Sequence, residues 1–330
     1  MFKFLSRLTD YIGDTAHDIV HRFYIPGYIP NEDIKKWPGT KTVGGITYRL
    51  PSVYLINESG IGVPEVAART AYDSFDKSDD EQVSTFKQGS KYVFNSNEVK
   101  DTSLLSKLSW TYHHQSVLEH ATLSFYIEGT SRGTLQEHVR HRHQAITVRS
   151  TRYTMTDLLL AFWFVRESQN RCPDNVCSER DIFVEFRSIL VDMLGIFIVT
   201  TDLVLDIEVD RIYRILEMQK DLNGYDYLSK DHLRFIEEWG DKDFTIEMYE
   251  SLRKCRTKRN AGDNYKILVT DNWAVDMIIT FNLSSLKNYF KLRDSGSAYF
   301  QIRWLAEGMI EATPKKYLEL VHKNYKPSAS

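Results

Sequence analysis

Three cysteines in 330 residues are too few for a disulfide framework, and they fit a chain that folds in a reducing compartment. Long apolar runs are missing as well. The longest, Leu158–Val165 and Met193–Val199, fall well short of the roughly 20 residues that a spanning helix needs. Asp10, Asp14 and Asp18 interrupt the first stretch, which therefore does not read as a secretory signal. Charge of one sign is not in excess either. With 42 Lys+Arg against 45 Asp+Glu the net charge is −3, which argues against general nucleic-acid binding. There is no Gly-x-Gly-x-x-Gly turn and no Gly-Lys-Ser/Thr phosphate loop, so neither a Rossmann nor a P-loop function is expected. Internal repeats and low-complexity tracts are also absent. The expectation is a cytoplasmic globular protein with neither membrane nor nucleic acid as a partner.

What is present mixes element types. Leu5, Leu8, Ile12, Ile19 and Phe23 share one helical face, a pattern open to core packing, a sister subunit or a membrane surface. A connector punctuated by proline and glycine follows, from Pro26 to Gly45. Between Ala121 and Ile127, Leu123, Phe125 and Ile127 alternate with Thr122, Ser124 and Tyr126, the period of a half-buried strand that Gly129 should end. Ser131 can then cap a helix running through Leu135 and Val139 toward Ile146. Residues 178–255 read as several charged-faced helices, and another begins near Asn282 with Leu286, Tyr289, Phe290 and Arg293. The fold class expected is α+β: one catalytic domain over 46–330, with a central sheet flanked by helices. An appendage over 1–45 and a mostly helical insert over 158–245 enlarge it.

Six of the ten histidines lie between residues 113 and 143: His113, His114, His120, His138, His141 and His143. Arg140 and Arg142 interleave with the last of them, and Arg149 and Arg152 follow closely. Arginine forks onto phosphate oxygens, so the cluster reads as a phosphate or polyphosphate site at a helix end; the bland alternative is a solvated helical face. His138 and His141 stand at a spacing that could ligate zinc or iron, but no His-Glu-x-x-His pattern accompanies them and no metal is expected. Cys255 sits among Lys254, Arg256 and Lys258, neighbours that could lower its pKa, although an ordinary thiol is the simpler reading.

Arg140-His141-Arg142, seven further residues and then Ser150 resemble the signature of the flavin-dependent thymidylate synthases. The flanks agree with it. His114, Ser116, Glu119 and His120 resemble the segment before the family's strand, and Ser131-Arg132 the opening of its motif helix. Ser150-Thr151-Arg152-Tyr153 is similar to the family's Ser-x-Arg-Tyr. Asn282-Leu283-Ser284-Ser285-Leu286 with Asn288 and Arg293 resembles its C-terminal helix, and Ala67-Ala68-Arg69-Thr70-Ala71-Tyr72 its opening segment.

The resemblance implies reductive methylation of dUMP to dTMP, with bound FAD, NADPH and methylenetetrahydrofolate. It also implies a homotetramer with shared active sites. No cysteine lies in the matched blocks, so the reactivity would reside in the flavin while the protein supplies placement and charge. Carried over, Arg140, His141 and Arg142 would contact FAD, joined by Thr122, Val148, Asn282, Ser284 and Asn288. Glu137, Arg140, Ser150, Thr151, Arg152, Lys266 and Arg293 would line the dUMP site, with Arg293 favouring ionisation of the pyrimidine N3. Asn282 also reads as a helix N-cap.

Four positions depart from the family's pattern. Ser284 and Lys266 stand where arginines are common, Val148 replaces an acid, and Glu137 replaces a glutamine. Lysine keeps the charge but loses the bidentate fork. These departures leave room for another pyrimidine nucleotide as substrate, or for a nucleotide-binding homologue without turnover.

Overall fold

The computed structural model describes residues 39–88, 94–100, 103–171, 179–240, 242, 244–258 and 260–323. The amphipathic stretch from Leu5 to Phe23, most of the connector, Cys172 and Cys177 lie outside the described residues. In chain order the main elements are β1 (Thr40–Val43), β2 (Ile46–Arg49), β3 (Ser52–Glu58), α1 (Gly62–Ala71) and α2 (Ser103–Trp110). Then come β4 (Thr122–Ser131), α3 (Arg132–His138), β5 (Gln144–Val148), α4 (Thr151–Asn170), α5 (Glu179–Ser188), α6 (Asp202–Asn223) and α7 (Lys230–Trp239). The last are α8 (Ile246–Lys254), α9 (Ala261–Asn264), β6 (Ala274–Asn282), α10 (Leu283–Arg293), α11 (Phe300–Ala312) and α12 (Lys315–Val321). The described residues divide into two compact units. One takes in 39–149, 198–200 and 270–323; the other takes in 150–197 and 201–269. The division falls between Arg149 and Ser150, inside the Arg-His-Arg…Ser motif.

The first unit is built on a four-stranded antiparallel sheet in the order β3-β4-β6-β5. Period-2 alternation sends Leu123, Phe125 and Ile127 of β4 and Met277, Ile279 and Phe281 of β6 into one core. There they meet Leu283, Leu286, Tyr289 and Phe290 of α10 and Ile302, Leu305 and Met309 of α11. Burying each such side chain contributes about 1.5–3 kcal/mol relative to leaving it in water. Ser124 and Thr280 share a 2.8 Å hydroxyl bond on the strand pair.

Two local expectations fail here for identifiable reasons. Gly129 does not end β4. It takes a left-handed φ of 75° at a register shift, its N–H donates to Asp276 Oδ1 at 2.9 Å, and the strand runs on to Ser131. A bulge exploits the missing Cβ just as a turn would. The helix after Ser131 does not reach Ile146 either. It stops at His138, and Gln144–Val148 pairs with β6 as an edge strand, the state favoured by its β-branched Ile146, Thr147 and Val148.

The second unit is helical. The apolar run Leu158–Val165 lies inside α4 and is almost wholly buried. Phe162 packs edge to face on Phe186 at 5.8 Å and on Tyr213 at 5.7 Å, and Phe164 lies tilted against Tyr249 at 5.4 Å. Among the described residues no helix is long and apolar enough to cross a membrane.

Candidate active site

In the sheet unit the site grows from the start of α3. Ser131 caps the helix by accepting the Thr134 N–H at 2.9 Å, and its hydroxyl joins those of Thr134 and the Gln301 amide oxygen in a buried knot. That fixes the helix whose last turn carries Glu137 and His138. His138 is fully buried and engages both ring nitrogens. Nε2 meets Gln144 Oε1 at 2.8 Å and Nδ1 meets the Tyr289 hydroxyl at 3.1 Å, while Gln144 Nε2 donates to the His138 carbonyl at 3.1 Å. Burial pushes the His138 pKa down to about 4, so the ring is neutral, with the proton on Nε2 facing the amide oxygen. Burial also raises the pKa of Tyr289, which therefore keeps the proton it donates to Nδ1. Committed in this way, His138 has no ring nitrogen left for a metal. Among the described residues no group of three or more His, Cys, Asp or Glu side chains is placed to hold one.

Arg293 ends α10, one helical turn beyond Tyr289 and two beyond Leu286, on the inward face. Its Nε donates to His141 Nε2 at 2.8 Å, Nη2 to the Glu137 carbonyl at 3.2 Å and Nη1 to Glu137 Oε2 at 3.3 Å. Three of five guanidinium N–H groups are thereby aimed before any ligand arrives. His141 lies edge-on to Tyr289 at 4.8 Å. Burial and then Arg293 lower its pKa, which keeps Nε2 free to accept. Its neighbours point outward. Arg140 is 74% exposed, its nearest acid being Glu137 at 4.0 Å, and Arg142 is exposed as well.

The other sheet-unit positions have mixed roles. Thr122 and Asn282 are register partners where β4 begins and β6 ends. The N-cap reading of Asn282 holds: its Oδ1 accepts the Ser285 N–H at 2.8 Å. Ser284 is half-buried in the first turn of α10 and Asn288 is exposed. Val148 pairs with Met277 and packs on the core, an environment that suits an apolar residue better than an acid.

Ser150, Thr151, Arg152 and Lys266 belong to the helical unit. Ser150 caps α4, accepting the Arg152 N–H at 3.3 Å. Arg152 Nη2 pairs with Asp263 Oδ2 at 2.7 Å. The close approach depends on Gly262, where a Cβ would lie 1.9 Å from the Arg152 carbonyl oxygen. Lys266 is exposed, just after α9. Cys255 fits the simpler reading, an ordinary thiol: burial and Asp231 raise its pKa.

The structure thus brings together Glu137, His141 and Arg293 in one unit, and Ser150 and Arg152 in the other. Three partners are not legible in the sequence: Tyr289 and Gln144, which hold His138, and Asp263, which pairs with Arg152. For Asp263 a signal exists, an acid beside Gly262 and close to Lys266.

The thymidylate synthase complementing protein family model matches residues 57–317. The flavin-dependent thymidylate synthase of Campylobacter jejuni (strain RM1221) is 26% identical over 265 residues, 80% of this chain and 93% of that protein. That of Wolinella succinogenes is 24% identical over 266 residues, 81% of this chain and 95% of that one. A crystal structure of flavin-dependent thymidylate synthase from Helicobacter pylori, complexed with FAD and dUMP, shares the fold. Its TM-score is 0.51 at 21% identity, covering 83% of this chain and 100% of that one.

Proposed function

The chain belongs to the thymidylate synthase complementing protein family, and on that footing we propose that it methylates dUMP reductively to dTMP as a flavin-dependent thymidylate synthase. Bound FAD serves as cofactor, with NADPH and methylenetetrahydrofolate as co-substrates, in a homotetramer with shared sites. The observation that carries the reading is the Arg293 guanidinium, held by three hydrogen bonds beside the Arg140-His141-Arg142 loop.

The donor set fits a flavin dinucleotide. Exposed guanidinium groups at Arg140 and Arg142 flank a neutral His141, the chemistry that a diphosphate and a heterocyclic ring require. Thr122, Val148, Asn282, Ser284 and Asn288 complete the set that would hold FAD. When bound, the reduced flavin supplies the hydride of the methylation.

The chain's own work is electrostatic. Glu137 and His141 hold Arg293 so that its positive fork meets negative charge developing on the pyrimidine, with no reorganisation at that moment. Arg140 assists on the same nucleotide. Ser150, Thr151, Arg152 and Lys266 take its anionic side. Arg152 exchanges Asp263 for phosphate oxygens, and Lys266 contributes a point charge without a fork.

The test is direct. Purified protein given FAD, NADPH, methylenetetrahydrofolate and dUMP should form dTMP; protein that binds neither FAD nor dUMP refutes the proposal. Turnover of dCMP in place of dUMP would assign another pyrimidine. Binding of both ligands without turnover would leave a nucleotide-binding homologue.

A further inference from the structure

Helix α9 carries Asp263 and leads directly to Lys266, yet it is a single turn of four residues. One turn fixes several backbone dihedrals for very few hydrogen bonds, so it does not hold itself in water. Of its residues only Ala261 and Gly262 are buried, and two such small side chains remove little apolar area from water. Specific contacts from elsewhere must therefore place it. On one side Gly262 lies against the Arg152 carbonyl. On the other, one residue of the turn after α6 grips the chain at both ends of α9. Asp226 Oδ1 accepts the Tyr265 hydroxyl at 2.8 Å, one residue past the helix. The Asp226 backbone carbonyl accepts the Lys258 ammonium, two residues before the N-cap Asn260.

The grip is itself braced within the helical unit. Gly224 ends α6 with a left-handed φ of 63°, its N–H donating to the Lys220 carbonyl at 2.7 Å. The Tyr225 hydroxyl donates to Glu167 Oε1 of α4 at 2.8 Å. Tyr227 stands edge-on to Tyr225 at 6.0 Å and to Tyr265 at 5.7 Å. Burial, then the bond to Asp226, raises the Tyr265 pKa, so its hydroxyl keeps the proton it donates.

We infer that Asp226 is a positioning residue for the anionic side of the nucleotide, acting through α9. It holds the segment that carries Asp263 and Lys266 against Arg152. The inference deepens the proposed function and rests on its assignment of Arg152 and Lys266 to that nucleotide. It also gives part of the helical segment over 158–245 a task, since α6 delivers the turn that holds α9. Loosening α9 withdraws the Lys266 charge without removing the competitor, because Asp263 keeps its own bond to Arg152.

The experiment is steady-state kinetics of the FAD-loaded full chain with dUMP varied. Asp226→Ala should raise KM for dUMP by about 3–5-fold, the worth of one exposed cation to an anion, with kcat and Tm retained. Asp226→Asn, whose amide oxygen still accepts the Tyr265 hydroxyl, should restore the wild-type KM. Tyr265→Phe removes only that hydroxyl; it should raise KM in the same direction and carries the test if Asp226→Ala does not fold. On a Lys266→Ala background, where the cation is already gone, Asp226→Ala should raise KM no further, and that coupling separates action through α9 from general loosening. An unchanged KM in both Asp226→Ala and Tyr265→Phe, an equal rise in Asp226→Asn, or the full rise repeated on Lys266→Ala would overturn the inference and leave the proposed function standing. A wild type that does not bind dUMP would remove the proposed function, and this inference with it.

Discussion

Two arginine–carboxylate pairs, one in each unit, are built to opposite ends. Arg293 is 17% exposed and tied by three hydrogen bonds to Glu137 and His141, at the end of a helix whose inner face is closed against the core. Arg152 and Asp263 meet at 2.7 Å with both side chains nearly half exposed. An ion pair in that much water is worth about 0–1 kcal/mol, so its carboxylate is easily exchanged for another anion. On the proposed function, the first pair would set an orientation in advance of substrate, and the second would keep a cation ready for a phosphate. Placement and capture are separate tasks, and the degree of burial separates them.

The largest effect is expected at Arg293. Arg293→Ala should lower kcat by about 10²–10³-fold with Tm retained, the scale of losing one preorganised donor to developing charge. Steady-state kinetics beside a melting curve checks this, and an unchanged kcat would refute the role. Next in size is the support beneath the pair, His138. Its folded pKa, about 4, lies below the ordinary 6.5, so the unfolded chain binds the proton more readily between those values. The stability from burying the neutral ring is complete above pH 6.5 and is lost as pH falls toward 4, about 3 kcal/mol in all. Urea midpoints taken from pH 7 to 4 should show the slope, and His138→Gln should flatten it.

Removing the carboxylate from each pair should then act in opposite directions. Glu137→Ala should cut kcat by about 10–100-fold, the worth of a charged hydrogen bond, with Glu137→Gln recovering much of it. Asp263→Ala should instead lower KM for dUMP by up to about 5-fold, since it frees Arg152 from a competitor. If both variants lowered kcat alike, the distinction between placement and capture would fall.

Much of this was legible in the chain. The alternation of Leu123, Phe125 and Ile127 announced β4, and Ser131 and Asn282 announced two helix starts, because those signals are local. Gly129 misled because a glycine serves a bulge as well as a turn, and only the pairing with β6 decides between them. Ile146 to Val148 misled because short apolar runs fit either period until a neighbouring strand claims them. Of the site, the blocks named Glu137, His141 and Arg293, but no spacing could show that Arg293 rests on both of the others, 152 and 156 positions away. The partners of His138 were hidden for the same reason. Tyr289 and Gln144 acquire their roles only in space.

The most direct measurement is the visible spectrum of FAD-loaded protein titrated with dUMP. A saturable change in the flavin bands is expected, retained in Arg293→Ala and needing more dUMP in Arg152→Ala. Protein that takes up no FAD, or flavin bands that ignore dUMP at any concentration, would contradict it.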